Sequence, residues 1–147
     1  MTVTDRARPH TRAAYRHFLP IQTRWMDNDA YGHVNNVIYY SWFDTVVNEY
    51  LIRSGVLDIE SSEVIGLVVE TRCHYFRELA FPQPVTAGLR VTRAGNSSVR
   101  YEIGLFGTDD DDASAQGYFV HVYVDRATRR PAQLPIALRQ ALERIHE

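Results

Sequence analysis

The spacing of apolar and polar residues changes along the chain, and each change marks an element. Pro20 to Met26 alternate weakly, which predicts a first strand, ended by the polar turn Asp27-Asn28-Asp29-Ala30-Tyr31-Gly32. From about Asn35 to Arg53 there is neither Gly nor Pro, and the period becomes helical. Ser41, Asp44, Thr45 and Asn48 form one narrow polar stripe on that helix. Tyr39, Trp42, Phe43, Val46, Val47, Tyr50 and Leu51 cover most of the rest. A helix this apolar must be enclosed on several sides. Gly55 follows it in the usual position for a C-terminal glycine.

Beyond Gly55 the period is two. In Glu63 to Phe76, alternation puts Ile65, Leu67, Val69, Thr71, Cys73 and Tyr75 on one face and Glu70, Arg72 and His74 on the other. Phe81-Pro82-Gln83-Pro84 reads as a turn, Val85 to Arg93 as a strand, and Ala94-Gly95-Asn96 as a turn into a strand over Ser97 to Phe106. Gly107 to Ser114, with four successive aspartates, reads as a solvated loop; the spacing and distal Glu of an EF-hand are missing. Gln116 to Asp125 is the last strand, and a short helix follows Pro135. Consecutive strands joined by short turns pair antiparallel, so the expected class is α+β, one long helix packed on one curled sheet. We expect a single domain over residues 1–147, with an N-terminal arm over 1–18 that frays and a C-terminal helix over 135–147.

Composition narrows the function. The 147 residues suit one ordinary domain, and a net charge of −2 provides no basic field for nucleic acid. No stretch approaches the ~18 apolar residues of a membrane span, and the Arg-rich start has no apolar run behind it, so a cytoplasmic protein is expected. Cys73 is the single cysteine and reads as a buried strand residue. The chain has no G-x-S-x-G, no P-loop, no G-x-G-x-x-G, no H-E-x-x-H and no paired-cysteine zinc spacing.

What remains is a dense polar segment, Arg24 to Asn36, running into the start of the apolar helix. A helix start offers unpaired N–H groups and the positive end of the dipole. Those donors can stabilise the oxyanion of acyl transfer. A carboxylate on the preceding loop can attack a carbonyl or activate water. Gly32 permits a tight turn and room for a substrate. Helix capping explains a single Asp or Asn here equally well, and Asn35 alone would serve. Both readings stand on the residues.

The run Arg24-x-x-Asp27-x-Asp29-Ala30-x-Gly32-His33-Val34-Asn35-Asn36-x-x-Tyr39 resembles the signature of the 4-hydroxybenzoyl-CoA thioesterase-like branch of hotdog-fold acyl-CoA thioesterases. The likeness extends over roughly Pro20 to Asp125, through the Tyr75-Phe76-Arg77 strand end and the Gly95-Asn96-Ser97-Ser98 turn. It implies a five-stranded antiparallel sheet wrapped round the central helix. It also implies hydrolysis of an acyl-CoA to free acid and CoA, without metal or other cofactor. Asp29 falls on the family's catalytic carboxylate, and the Asn36 N–H on the group that polarises the thioester carbonyl. Gly32 and His33 belong to the same motif, His33 as a group that orients a carboxylate or touches the carbonyl. Asp27 is expected to support the loop by pairing with Arg24, and Glu49 on the helix is expected to be structural.

The resemblance also implies a homodimer or homotetramer with sheets joined edge to edge and the acyl group entering between subunits. Tyr39 and His74 are then candidate substrate contacts, and Arg93, Arg100 and Arg126 candidate partners for the CoA phosphates, because Arg forks match phosphate geometry. Two other functions fit the same fold: a hydratase or dehydratase using Asp29 and His33, and a non-catalytic acyl-thioester binding module.

Overall fold

The computed structural model describes residues 6–147; the first five residues of the expected N-terminal arm lie outside the described residues. One antiparallel sheet contains β1 (His17–Ile21), β2 (Val64–Tyr75), β3 (Val85–Ala94), β4 (Ser98–Gly107) and β5 (Ala115–Asp125), in the order β1-β3-β4-β5-β2. Helix α1 (Asn36–Arg53) joins β1 to β2, and α2 (Ile136–Glu143) follows β5. The sheet curls round α1, the hotdog arrangement.

The sequence pattern accounts for this packing. Phe43, Val46 and Val47 of α1 are completely buried, whereas Ser41, Asp44 and Thr45 of the polar stripe are exposed. Across from them, Leu89 and Val91 of β3 and Tyr101, Ile103 and Leu105 of β4 are equally inaccessible, and the register pairs Leu89 with Ile103 and Val91 with Tyr101. Residues opposite one another share a face, so this alternating set forms the inner wall. Gly55, with φ +73°, ends α1 as expected. Among the described residues no helix is long and apolar enough to cross a membrane.

Three expectations need correction. The first strand lies earlier than Pro20–Met26. The chain leaves the sheet after Ile21 because Asp27 accepts the Arg24 N–H (2.7 Å) and the Arg24 guanidinium (2.8 Å), closing a 3-10 turn over Trp25–Asp27. Pro20 is tolerated because β1 is an edge strand.

In β2 the alternation is broken by a bulge: Val68 pairs with His121, but Glu70 pairs with Val120, leaving Val69 unpaired. Thr71, Cys73 and Tyr75 therefore share the inner face with Gly66 and Val68, and Ile65 and Leu67 fall on the opposite face.

The arm is also anchored from His10 onward. Thr11 bridges to Asp112, and Arg12 donates to the carbonyls of Asp110 (2.7 Å) and Gly107 (3.0 Å). The Tyr15 ring fills a notch over Gly88 and Gly104, which face each other across β3 and β4; a Cβ at Gly104 would lie 2.6 Å from the ring. These ties bury Ala113 and Ser114 and hold down part of the acidic loop expected to be solvated.

Candidate active site

The loop between β1 and α1 is fixed at both ends before it reaches the polar cluster. Asp27 is fully buried, held by Arg24 as expected, and its carbonyl accepts the Asn35 N–H at 2.8 Å. Asn28 Oδ1 accepts the Phe81 N–H (3.0 Å), and the Val34 N–H donates to Leu79 O (2.8 Å). Between these anchors the chain makes a tight excursion: Asp29 N–H donates to His33 O (2.8 Å) and Gly32 N–H to Asp29 O (3.1 Å). Gly32 has φ +84°, a conformation that side chains with a Cβ adopt at a cost. A Cβ there would meet nothing within 4 Å, so the glycine is required by the turn and not by crowding.

This excursion places Asp29 on the wall of a cavity of about 430 Å³, together with His33, Asn36, Tyr39, Tyr75 and Glu78. One carboxylate oxygen of Asp29 accepts the Tyr31 N–H at 2.8 Å; the other has no partner among the described residues. Asn35 caps α1 by accepting the Val37 N–H (3.1 Å). The Asn36 N–H, one position earlier, has no partner among the described residues and belongs to the orphan donors of the first turn. The capping and catalytic readings thus divide between adjacent residues, with Asn35 capping and Asn36 on the cavity wall.

Of the cavity residues not singled out from the sequence as site groups, Glu78 and Tyr75 touch ones that were. Glu78 lies 2.9 Å from His33 Nε2, with both side chains open to solvent. The Tyr75 hydroxyl donates to Asn36 O (3.0 Å), and its ring meets Tyr39 edge-on at 4.9 Å. Burial above all pushes the Tyr39 phenol up to about 12, so its hydroxyl is neutral at ordinary pH. Nothing in local spacing links Tyr75 or Glu78 to Asn36; only the return of β2 alongside α1 does.

Other candidates lie elsewhere. His74, Arg93 and Arg100 are on the outer face of the sheet: Arg93 pairs with Arg100 in the β3–β4 register, and His74 stacks on Phe76. The Arg100 guanidinium sits 3.8 Å over the Tyr118 ring and donates to Glu102 (3.1 Å). Within one chain these three do not converge on Asp29. Arg126 donates to Ser62 O (2.6 Å) and Ile59 O (2.8 Å), so its guanidinium ties down a loop. Glu49 is structural as expected, between His17 (3.2 Å) and Arg53 (2.8 Å). Burial pushes the Cys73 thiol up to about 11, which keeps it from acting as a thiolate nucleophile. Among the described residues no three His, Cys, Asp or Glu side chains gather as a metal site.

Likeness to known proteins places the chain in a family. Residues 23–142 match the family model of the thioesterase-like superfamily. The chain is 55% identical to the PA5185 protein of Pseudomonas aeruginosa strain PAO1, covering 95% of this chain and 97% of that one, with a TM-score of 0.92. A structure described as the BH1999 gentisyl-coenzyme A thioesterase is 20% identical, covers 86% of this chain and 99% of its own, and superposes with a TM-score of 0.77. Slr0204 of Synechocystis, described as a 1,4-dihydroxy-2-naphthoyl-CoA thioesterase, is 16% identical over 85% of this chain and 93% of its own, with a TM-score of 0.78. Among curated sequences, the uncharacterized protein YsmA of Bacillus subtilis (strain 168) is 22% identical over 88 residues; the match spans 60% of this chain and 59% of YsmA. The chain belongs to the thioesterase-like superfamily.

Proposed function

We propose that the protein hydrolyses acyl-CoA thioesters to the free acid and CoA, in the cavity headed by Asp29. The observation that carries this reading is the pairing of two unsatisfied groups on one wall: a free Asp29 carboxylate oxygen and the Asn36 N–H. The thioester carbonyl docks against that N–H, whose position at the helix start favours developing negative charge. Asp29 then acts in one of two ways. It attacks the carbonyl carbon, expelling CoA thiolate and leaving a mixed anhydride that water cleaves. Alternatively it takes a proton from water, whose hydroxide attacks the same carbon. Thiolate is a good leaving group, so neither route needs a strong general acid. Gly32 holds the loop turn, and His33, oriented by Glu78, contacts the carbonyl region.

Tyr39 lines the acyl side of the cavity. His74, Arg93 and Arg100 act on CoA only if a second copy brings them to this cavity, as the unpaired outer edge of β2 allows in a homodimer or homotetramer. In this reading the chain works as one cytoplasmic domain. The thioesterases of the same fold named for aryl-CoA substrates make aryl thioesters a sensible part of any substrate panel, beside branched and fatty acyl-CoAs.

The test is release of free thiol from such a panel by the wild type and by Asp29→Ala. Release by the wild type alone supports the proposal. No release from any acyl-CoA contradicts it, and a changed double bond in an enoyl substrate points to a hydratase instead.

A further inference from the structure

A second cavity of about 210 Å³ opens at the other end of α1. Asn48 on its rim is twelve residues beyond Asn36, about 18 Å along the helix at ~1.5 Å per residue, so the two cavities are separate within one chain. Leu51, Leu57, Val64 and Leu138 supply apolar walls. The polar lining comes from His121 and Tyr123 of β5, from Arg126, and from Asn48, whose Nδ2 donates to Asp44 O at 2.9 Å.

His121 is the unusual member. It is only 5% exposed, and neither ring nitrogen has a hydrogen-bond partner among the described residues. A buried polar group left unpaired destabilises a fold, so a position serving packing alone would favour Phe or Leu. Gly66 makes the space for it: a Cβ there would lie 2.9 Å from His121 Nδ1 and 3.0 Å from Tyr123 Cζ. Burial lowers the His121 pKa to about 4, so the ring is neutral at ordinary pH and offers one donor and one acceptor. The Tyr123 hydroxyl is already engaged with that of Tyr101 at 2.6 Å. Arg126, on the rim, donates to the carbonyls of Ser62 and Ile59, which fixes its guanidinium at the edge of the cavity.

We propose that this cavity is a second binding site, for a small and mainly apolar molecule whose single polar group both donates and accepts a hydrogen bond: a phenol, an alcohol or a carboxamide. Apolar walls with a few convergent polar groups are the usual composition of small-molecule pockets, and of those here His121 is the one with both ring nitrogens unpartnered among the described residues. A volume of 210 Å³, against a floor of about 10–15 Å³ for one water, admits a ligand of several heavy atoms.

Titration of the isotope-labelled full chain with phenol and with toluene, following the His121 ring signals by NMR, tests this. Phenol is expected to shift those signals saturably and to bind at least about tenfold more tightly than toluene, a difference of about 1.4 kcal/mol. His121→Phe should abolish the preference, and Leu57→Trp, which fills the cavity from its wall, should abolish binding of both. Asp29→Asn should leave phenol binding unchanged, which keeps failure here distinct from failure of the thioesterase reading. Absence of saturation (a cavity holding water only), equal affinity for phenol and toluene, or binding that survives Leu57→Trp would each overturn the proposal.

Discussion

At its N-terminal end α1 meets an irregular loop, a left-handed glycine and a cavity of about 430 Å³ whose wall includes two groups, an Asp29 carboxylate oxygen and the Asn36 N–H, without partners among the described residues. At its C-terminal end the same helix is held by satisfied polar contacts, and the smaller cavity there is walled largely by apolar side chains. Tyr50 is buried and donates to Ala141 O at 2.6 Å, Glu49 is held between His17 and Arg53, and Gly55 N–H returns to Ile52 O at 3.0 Å. The contrast recurs within the loop, where Asp27 and Asp29 are two residues apart. Asp27 is fully buried and accepts three hydrogen bonds from Arg24, whereas Asp29, on the cavity wall, accepts one and leaves its other oxygen without a partner among the described residues. Fully satisfied carboxylates hold structure; a partly satisfied one at a cavity is available for chemistry.

The contrast can be attacked first at the helix start. Asn36→Pro removes the N–H and little else, because proline is favoured at the first helical position and Asn35 (φ −61°, ψ 137°) already has the extended conformation proline requires before it. We expect kcat to fall by about 10²–10³ with the helix intact, the loss typical of one missing oxyanion donor. Unchanged turnover would remove Asn36 from the site.

A second effect of similar size belongs to His121. Its pKa is about 4 in the folded chain against 6.5 for an ordinary histidine, so between these values the unfolded chain binds the extra proton. Stability is therefore full above about pH 6.5 and declines as pH falls towards 4, by up to about 3 kcal/mol. Denaturant midpoints measured from neutral pH downward should show that decline, and His121→Phe should flatten it.

Asp27→Ala is expected to lower stability by about 1–3 kcal/mol by stranding the Arg24 N–H and guanidinium, read as a shift in the urea midpoint. Glu49→Gln is expected to change stability by no more than about 1 kcal/mol and to leave kcat unaltered, because its ion pairs are partly exposed. A large loss of activity in Glu49→Gln would mean that the chemistry is not confined to the cavity at the N-terminal end of α1.

Much of this was legible in the sequence because it rests on local periodicity. The polar stripe Ser41–Asp44–Thr45–Asn48 marks the side of α1 that the sheet leaves open, and the alternation Val99–Tyr101–Ile103–Leu105 marks the inner wall. The Arg24–Asp27 pair and the motif through Asn36 were legible for the same reason, being contiguous.

What was not legible depends on partners distant in the chain. The bulge at Val69 inserts a residue that itself looks like a strand residue, so the alternation seemed continuous through it. Tyr15 reads as part of a loose arm until Gly88 and Gly104 are seen to face each other under its ring. Tyr75 and Glu78 join the cavity only because β2 returns beside α1, and His74, Arg93 and Arg100, plausible by charge, turn to the opposite face of the sheet.

The most direct test of the account is kcat for thiol release by Asp29→Asn, measured beside its melting temperature. The account predicts a fall of about 10²–10⁴ in kcat, the range for loss of a positioned base or nucleophile, with the melting temperature within a few degrees of wild type. Near-normal turnover by a folded Asp29→Asn would contradict it.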